Sequence, residues 1–331
     1  MTEVIRHPSR RDFLKALPLA AAVAACQRHS FDSRAFPLPP RSEVGLFAAQ
    51  NYDVDLADVI SRGLAVLGAD VTGRRVLLKP NLVEYDAGTV INTNPLVVAG
   101  AAVAFLRAGA REVVVGEGPG HRNDIEYLLV ASGLQDRLRE LGIRFVDLNH
   151  DDVKAVRLGS HFTGLGELWF PAEVLRADVV VSVAKLKTHH WAGMTSSMKN
   201  LFGIVPGAVY GWPKNLLHVR GIDESILDIN ATIRSGFSIV DAIVAMEGDG
   251  PIMGRARPLG FLAMGRDPVA VDATCARVIG LNPDRISYIN EAARFLGNAD
   301  EVRIDQRGEQ PARFRSRLEV APHLEHLRLP E

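Results

Sequence analysis

The sequence has 331 residues, of which 47% are hydrophobic and 23% charged, a composition typical of a soluble globular protein with one large or two moderate domains. The formal net charge of −1 excludes nucleic-acid binding through a global basic field. Two cysteines, Cys26 and Cys275, are too few for a four-cysteine zinc site or for an iron–sulfur cluster held by this chain alone.

Residues 1–25 have the layout of an export signal. A charged segment, SRRDFLK at 9–15, precedes an alanine-rich apolar stretch that is too short to span a bilayer as a mature helix. The paired arginines before Phe-Leu-Lys resemble the twin-arginine export signal of bacteria. This resemblance implies that the twin-arginine machinery is a partner and favours a protein that is exported folded. The alternative is a basic amphipathic N-terminal helix.

Two processing routes remain open at Cys26. The segment VAAC at 23–26 resembles a lipobox, in which Cys26 is lipidated and becomes the new N-terminus. Ordinary cleavage after Ala24 or Ala25 is the alternative. Both predict an exported, periplasmic or cell-envelope protein that meets a membrane only through its signal or a lipid anchor. Residues 26–42, with three prolines, read as a linker or tether.

From residue 43 onward, strands and helices alternate along the chain. Short apolar runs predict strands at 43–49, 74–81, 111–118, 143–148, 153–158, 176–185, 237–246 and 258–265. Helical spacing predicts helices at 54–69 with Asp53 as cap, 96–108 after Asn94-Pro95, 123–133, 215–234, 267–279 and 286–296. This alternation predicts an α/β fold with a mostly parallel sheet and helices on both faces, in one sheet or in two α/β lobes around a cleft.

Polar residues follow four of the predicted strands. We call these segments the strand exits. The first contains Lys79 and Asn81. The second is the glycine-rich loop at 116–120, which contains Glu117 and is followed by His121. The third is the stretch 185–200, and the fourth combines Asp241 with the acidic turn around Asp249. Ligands in such folds bind beyond the carboxyl ends of the strands, so these exits predict one common cleft. A solvated strand end or a plain turn is the alternative at each.

The stretch KLKTHHWAGMTSSMKN at 185–200 has the most reactive side chains. Lys185 and Lys187 lie two apart, so an extended chain points both toward one face and toward one anion. His189 and His190 then point in opposite directions, so one of them is expected to enter the site. Lys199-Asn200 closes the stretch. Further on, Lys214 and His218 share one face of a predicted helix, with an exposed surface as the alternative.

These observations give a set of candidate roles. The catalytic candidates are Lys187 and Lys199, which would neutralise an anion, and His189, His121 and Glu117, which would move protons because burial can tune carboxylate and imidazole pKa values toward neutrality. The ligand-binding candidates are Lys79, Asn81, Lys185, Asn200, Lys214, Asp241 and Asp249. His218 and His190 are candidate ligands of a divalent transition metal, whose identity the ligand types leave open. Asp267 is read as a helix cap, and Cys275 as a packed apolar residue.

Seven motifs resemble the family catalogued as domain of unknown function 362. They are LLKPNLV (77–83), NTNPLVV (92–98), VVVGEGPG (113–120), VSVAKLKTH (181–189), MTSSMKNLFGIVPG (194–207), IVDAIVAMEGDGPIMG (239–254) and GRDPVAVDATCARVIG (265–280). Many members of that family carry cysteine-rich ferredoxin-like segments. This chain has none, so the resemblance implies a fold more than a reaction.

The sequence is also distantly similar to the nickel-pincer lactate racemase family. The elements are Gly120-His121-Arg122 and, in order, Lys199, Pro206-Gly207 and His218, although the first lacks the family's spacing. The resemblance implies Lys199 as the cofactor-attaching lysine, His218 as a metal ligand and His121 as an acid or base.

Two classes of function fit the sequence. One is an exported enzyme that binds a small anionic or carbonyl substrate, or a cofactor, in a cleft lined by lysine and histidine. Preorganised positive charge in such a cleft stabilises negative charge that develops during a reaction. The alternative is a non-catalytic exported protein that binds a small anionic ligand or serves a redox partner.

Overall fold

One mixed, mostly parallel sheet forms the centre of the fold. The computed structural model describes residues 30–120 and 124–330. The strands within these ranges are β1 (Ser42–Ala48), β2 (Arg75–Pro80), β3 (Glu112–Glu117), β4 (Arg144–Asp147), β5 (Val153–Arg157), β6 (Glu167–Pro171), β7 (Val179–His189), β8 (Gly193–Thr195), β9 (Phe237–Glu247), β10 (Arg255–Gly265) and β11 (Ile304–Gly308).

The strand order in the sheet is β11-β1-β10-β9-β7-β2-β3-β4, with β8 paired to β7. Strands β9, β7, β2, β3 and β4 run parallel, as do β11 and β1, whereas β10 is antiparallel to both of its neighbours. The α/β class with a mostly parallel sheet is therefore confirmed. Within the described ranges the strands form one continuous sheet plus the separate pair β5-β6, so the two-lobe arrangement is not the one observed.

Helices cover both faces of the sheet. They are α1 (Leu56–Val66), α2 (Pro95–Arg107), α3 (Ile125–Ala131), α4 (Leu134–Glu140), α5 (Ala172–Arg176), α6 (Ser197–Asn200), α7 (Gly207–Tyr210), α8 (Asn215–Val219), α9 (Ile222–Ile233), α10 (Pro268–Val278) and α11 (Ser287–Ala292). Side chains alternate along β2, so Val76 and Leu78 pack with α1, α2 and α4, whereas Leu77 belongs to the core of α9, α10 and α11.

Capping residues in the sequence determine where several helices begin. Asn94 accepts the N–H of Leu96 at the start of α2, and Asp267 caps α10. The cap of α1 is Asp55 rather than Asp53. The helix predicted over 215–234 is two helices, α8 and α9, because Gly221 between them has φ +106, which ends the helical conformation.

An ion-pair cluster closes the amino ends of the parallel strands. Arg75 and Arg144, the first residues of β2 and β4, donate to the buried carboxylate of Glu173 over 2.5 and 3.1 Å. Arg176 donates to the other oxygen of the same carboxylate over 3.2 Å. These charge-assisted bonds lower the pKa of Glu173 although burial opposes them. The cluster holds the amino ends of the strands against α5.

The N-terminal part of the chain lies only partly within the described residues. The predicted export signal and Cys26 fall outside them. Residues 30–41 of the predicted tether run along the domain, with Phe36 buried and the ring of Phe31 stacked 4.1 Å from that of Phe295. Among the described helices, none has both the length and the apolar character needed to cross a bilayer.

Candidate functional site

A cavity of about 740 Å³ lies at the carboxyl ends of β2, β3 and β7. Each of the four predicted polar exits contributes to its lining. The predicted site residues that line it are Lys79, Asn81, Glu117, Lys187, His189, His190, Lys199, Asn200, Lys214, His218 and Asp249. Lys185 and Asp241 lie outside the cavity, and His121 lies outside the described residues. The strand exits therefore meet in one space, as a parallel sheet requires.

Lys79 and Glu117 form a buried ion pair in the cavity wall. Lys79 Nζ donates to Glu117 Oε2 over 2.8 Å and to the backbone and side-chain oxygens of Asn200 over 2.5 and 2.9 Å. The same carboxylate accepts the N–H groups of Leu82 and Gly118. Burial lowers the pKa of Lys79, and Glu117 opposes this shift. Both charged groups are thus fully partnered and join the ends of β2 and β3.

Lys185 is partnered away from the cavity. Its Nζ donates to Asp241 Oδ2 over 3.0 Å and to the hydroxyl of Tyr52 over 2.9 Å. Asp241 also accepts the hydroxyl of Tyr52 and the backbone N–H of Asn94. The pairing of β7 with β9 shifts register between Lys185 and Lys187. Because Lys185 is occupied by Asp241 and Tyr52, the two lysines do not bind one anion together, contrary to what their two-residue spacing predicts.

Lys214 is held by backbone oxygens. Its Nζ donates to the carbonyls of Gly118 and Gly203 over 2.7 and 3.0 Å, and to that of Phe202 over 3.4 Å. Burial lowers the pKa of Lys214 to about 7, against an opposing effect of Glu117. Its backbone has φ +70, a left-handed conformation uncommon outside glycine. Lys214 thereby ties the loop after β3 to the segment after α6.

Among the described residues, Lys187 and Lys199 are the two lining lysines with neither a carboxylate partner nor a full set of carbonyl acceptors. Lys187 is fully buried, and its one hydrogen bond, to the carbonyl of Pro251, is long at 3.3 Å. Lys199 is half-buried and lies 5.8 Å from the ring centroid of Phe202. Burial lowers the pKa of Lys187 well below its ordinary value and that of Lys199 to about 8, with neighbouring lysines adding to both shifts. The cavity therefore holds amine groups that no carboxylate among the described residues neutralises.

His189 is held in one tautomer by the turn that follows β7. The backbone N–H groups of Trp191 and Ala192 donate to its Nδ1 over 3.1 and 3.2 Å. Because Nδ1 accepts these bonds, the ring proton is on Nε2. Burial, followed by the charge of Lys199, lowers the pKa of His189 well below its ordinary value. His189 is therefore a neutral hydrogen-bond donor rather than a base.

His218 has the opposite tautomer. Its Nδ1 lies 3.1 Å from the carbonyl oxygen of Lys214, which can only accept, so Nδ1 carries the proton and Nε2 has a free lone pair. Burial lowers the pKa of His218, so the ring is neutral at physiological pH. The ring of Trp191 lies 5.9 Å from that of His218 at the mouth of the cavity. His189 thus offers the cavity a hydrogen-bond donor, and His218 offers it an acceptor.

Both His189 and His190 line the cavity, although strand alternation predicts that one of them enters it. The reason is that β7 ends at His189 and the chain turns immediately, which breaks the alternation. His190 Nδ1 lies 3.3 Å from the carboxylate of Asp249, and both side chains are partly exposed. This pair forms part of the outer rim.

The described residues do not fit a metal centre by themselves. Structural and catalytic zinc sites use three or four protein ligands, and related sites for other transition metals have similar donor sets. In residues 30–120 and 124–330, no group of three or more His, Cys, Asp or Glu side chains is arranged to hold a metal. His218 offers one free ring nitrogen, whereas His190 is paired with Asp249 and Nδ1 of His189 is engaged.

Two buried polar atoms of the lining lack a partner within the described part of the chain. They are Oδ1 of Asn81 and Oγ1 of Thr195. Their residues are 7% and 3% exposed, and an unsatisfied polar atom at such a depth costs about 1–3 kcal/mol. Thr195 lies directly opposite Lys187 in the β7-β8 pairing. These atoms therefore offer hydrogen bonds to a bound molecule.

Asp272 positions the segment that carries Lys199, a role the sequence did not reveal. Its carboxylate accepts the backbone N–H groups of Ser197 and Met198 over 2.7 and 3.0 Å, at the start of α6. Burial raises the pKa of Asp272 to about 7. A carboxylate in the middle of an apolar helix is the signal that points to such a role. The Asp267 cap and the buried Cys275 have the structural roles expected for them.

Comparison with known proteins gives a family and a curated relative. The model of the family described as "Domain of unknown function (DUF362)" matches residues 76–277. The thylakoid-associated protein sll1697 of Synechocystis sp. is 32% identical over 221 residues, which are 65% of this chain and 65% of the relative. The chain thus spans just under two thirds of the length of that relative.

Two solved structures are also similar to this chain. A Thermotoga maritima protein matches with 16% identity and a TM-score of 0.42, over 66% of this chain and 58% of its own. The lactate racemase apoprotein of Thermoanaerobacterium thermosaccharolyticum matches with 14% identity and a TM-score of 0.48, over 74% of this chain and 59% of its own.

Proposed function

The chain belongs to the family described as domain of unknown function 362, and from the lysines and histidines that line its cavity we propose that it is an exported enzyme that acts on a small anionic carbonyl compound. The substrate binds in the cavity at the carboxyl ends of β2, β3 and β7. Lysine and histidine side chains supply the charge and the proton transfers.

The observation that carries this proposal is the unpaired state of Lys187 and Lys199 within the described residues. The neighbouring Lys79, Lys185 and Lys214 are each surrounded by acceptors. A buried cation without a partner is costly, because it has lost its hydration without gaining a counter-ion. An anion in the cavity removes that cost, so the arrangement supports an anionic ligand.

The two histidines support proton transfer at the bound molecule. The Nε2–H of His189 donates to a carbonyl oxygen, where negative charge develops as the carbonyl reacts, and a neutral imidazole can serve as such an electrophile. Nε2 of His218 accepts a proton from the substrate as general base. Lys199 holds the anionic group of the substrate by charge.

Export is supported by the residues that precede the domain. The twin-arginine-like segment at 9–15 and the lipobox-like segment at 23–26 supply an export signal and an anchor on Cys26. The name of the Synechocystis relative associates that protein with thylakoids, which is compatible with a location at a membrane. Replacing Cys26 with serine tests the anchor, because the lipidated form alone stays with the membrane fraction.

Binding of oxalate tests the anion site. We expect oxalate to raise the melting temperature of the wild-type protein, because a ligand that binds the folded state stabilises it. Lys199→Met removes a charged hydrogen-bond donor worth about 1.5–3 kcal/mol, so its oxalate affinity should fall by roughly 10- to 100-fold. Lys154→Met, at an exposed lysine of β5, is the matched control and should bind as wild type does. Equal affinity in all three proteins would contradict the proposal.

Turnover separates the enzyme from the non-catalytic alternative. Pyruvate in deuterated water should exchange its methyl hydrogens faster with wild-type protein than with His218→Ala, as measured by NMR. Exchange at the rate of the protein-free control, together with normal oxalate binding, would instead favour a binding or redox accessory protein.

A further inference from the structure

Lysine is distributed unevenly in this protein. The sequence has only seven lysines among 38 lysine and arginine residues. Four of the seven line the cavity, and Lys185 lies two positions before Lys187. Surface cations are therefore almost all arginine. Arginine stays charged at every physiological pH, whereas a buried lysine can lose its proton and become a nucleophilic amine. The distribution indicates a site that needs an amine.

Among the lining lysines, Lys187 has the environment of a neutral amine. An ammonium group has three N–H donors, and within residues 30–120 and 124–330 Lys187 has one long hydrogen bond, at 3.3 Å, and no exposed surface. Lys79 and Lys214 have three oxygen acceptors each, which suits the charged form. Lys199 is half-buried and thus partly hydrated. Geometry therefore singles out Lys187.

The surrounding charges act in the same direction. After burial, the strongest influences that lower the pKa of Lys187 are the positive charges of Lys199, Lys185 and Lys79, and Glu117 opposes them weakly. A lysine that is desolvated and placed beside other cations is activated as a nucleophile in this way. The hydroxyl of Thr195, buried and directly opposite on β8, can hydrogen-bond to an oxygen of the adduct.

We propose that Lys187 is a nucleophilic amine that forms an imine with the carbonyl group of an anionic 2-oxo acid bound in the cavity. This inference rests on the proposed function and names its substrate class. The carboxylate binds to Lys199, and the adjacent carbonyl carbon lies toward Lys187. Hydroxy acids and purely anionic ligands bind to the same charges but cannot form the bond.

Imine formation needs no reactant other than the Lys187 amine and the carbonyl group. The Nζ lone pair attacks the carbonyl carbon, the C–N bond forms, and the π electrons of C=O move to oxygen, which His189 stabilises through Nε2–H. His218 Nε2 takes one proton from nitrogen and returns it to the oxygen, which gives a carbinolamine. Loss of the second N–H proton and of hydroxide releases one water and leaves C=N. Amine and carbonyl thus become imine and water.

Borohydride trapping tests the imine on the full-length protein. The protein is incubated with pyruvate and sodium borohydride, which reduces C=N to a stable secondary amine, and the modified peptide is mapped by mass spectrometry. We expect one major adduct on Lys187, none there in Lys187→Met, and unchanged labelling in Lys154→Met. In Lys199→Met, labelling by pyruvate should fall about tenfold, whereas labelling by uncharged acetone should fall much less.

The outcomes separate this inference from the proposed function. Labelling on Lys154 or Lys199 in place of Lys187, or no labelling while oxalate still binds, would overturn the imine and leave the anion site intact. Failure of both oxalate binding and labelling would overturn both proposals. Because the adduct is mapped on the wild-type chain, the result does not depend on whether Lys187→Met folds.

Discussion

Removing the charge of Glu117 isolates the contribution of one buried ion pair. Glu117 and Lys79 are each 1% exposed, and their charged atoms are 2.8 Å apart. In Glu117→Gln the Lys79 ammonium keeps only uncharged acceptors, the two oxygens of Asn200 and the oxygen of the new amide. The new amide also places an NH₂ group beside the N–H of Leu82 or Gly118, both of which donate to the present carboxylate. The substitution therefore leaves a buried cation uncompensated.

The expected loss is large for a single isosteric change. Breaking a buried pair by removing one partner costs about 3–5 kcal/mol of the free energy of unfolding. Glu140→Gln is the matched control, because Arg137 and Glu140 form an ion pair of 3.0 Å at the surface, with side chains 49% and 61% exposed. Loss of such an exposed pair costs about 0.2–1 kcal/mol. Urea denaturation at pH 7 measures both values.

A double-mutant cycle identifies the cause of the loss. Lys79→Met removes the ammonium, so adding it to Glu117→Gln removes the uncompensated charge as well. We expect the double variant to be more stable than the sum of the two single effects predicts, by at least about 1 kcal/mol. Effects that add within about 0.5 kcal/mol would show that the pair does not interact and would refute the reasoning.

The pH dependence of Glu117→Gln has a defined sign. The folded-state pKa of Lys79 is already lowered by burial, and loss of Glu117 removes the opposing influence, so it falls further. In the unfolded chain the pKa of Lys79 is about 10.4, so between the two pKa values the unfolded chain binds more protons than the folded chain. The variant should therefore regain stability as the pH rises toward about 10, more steeply than wild type does.

Two further substitutions test the packing of the cavity wall and the carboxylate that positions α6. Gly203→Ala places a Cβ against Glu117 Oε1 and 2.7 Å from Cε of Lys79. The clash should lower the free energy of unfolding, measured by urea denaturation, by about 1–3 kcal/mol. Gly166→Ala, where a Cβ meets nothing within 4 Å, should be neutral or slightly stabilising, and equal stability of the two variants would contradict the packing argument. Because burial raises the pKa of Asp272 to about 7, its favourable contribution is complete below about pH 4 and is lost as the pH rises to 7. The stability of wild type relative to Asp272→Asn should therefore fall over that interval by up to about 1.4 kcal/mol per pH unit, and a pH-independent difference would show that the carboxyl titrates normally.

The elements predicted best are those whose signals are local. Asn94-Pro95 and Gly109 bracket α2, and Asp267-Pro268 opens α10, because caps and turn residues act within a few positions of the chain. Continuous apolar runs predicted the central parallel strands because both faces of the sheet are covered. The convergence of the polar exits followed from the same parallel order.

The sequence could not predict contacts between residues that lie far apart along the chain. Lys185 is bound by Tyr52, 133 positions away, and by Asp241, so a lysine that looks available is fully occupied. The ring proton of His189 is fixed by the local turn after β7, which strand alternation does not foresee. The role of Asp272 depends on a contact across 75 positions.

The two ends of the parallel strands carry opposite arrangements of charge. At the amino ends, the carboxylate of Glu173 is surrounded by three guanidinium groups, which hold the strands in place. At the carboxyl ends, the amine groups of Lys187 and Lys199 have no carboxylate partner among the described residues. Substitutions far apart in a structure act nearly independently. Substitutions at the carboxyl ends can therefore change the chemistry of the cavity while the Glu173 cluster preserves the arrangement of the strands.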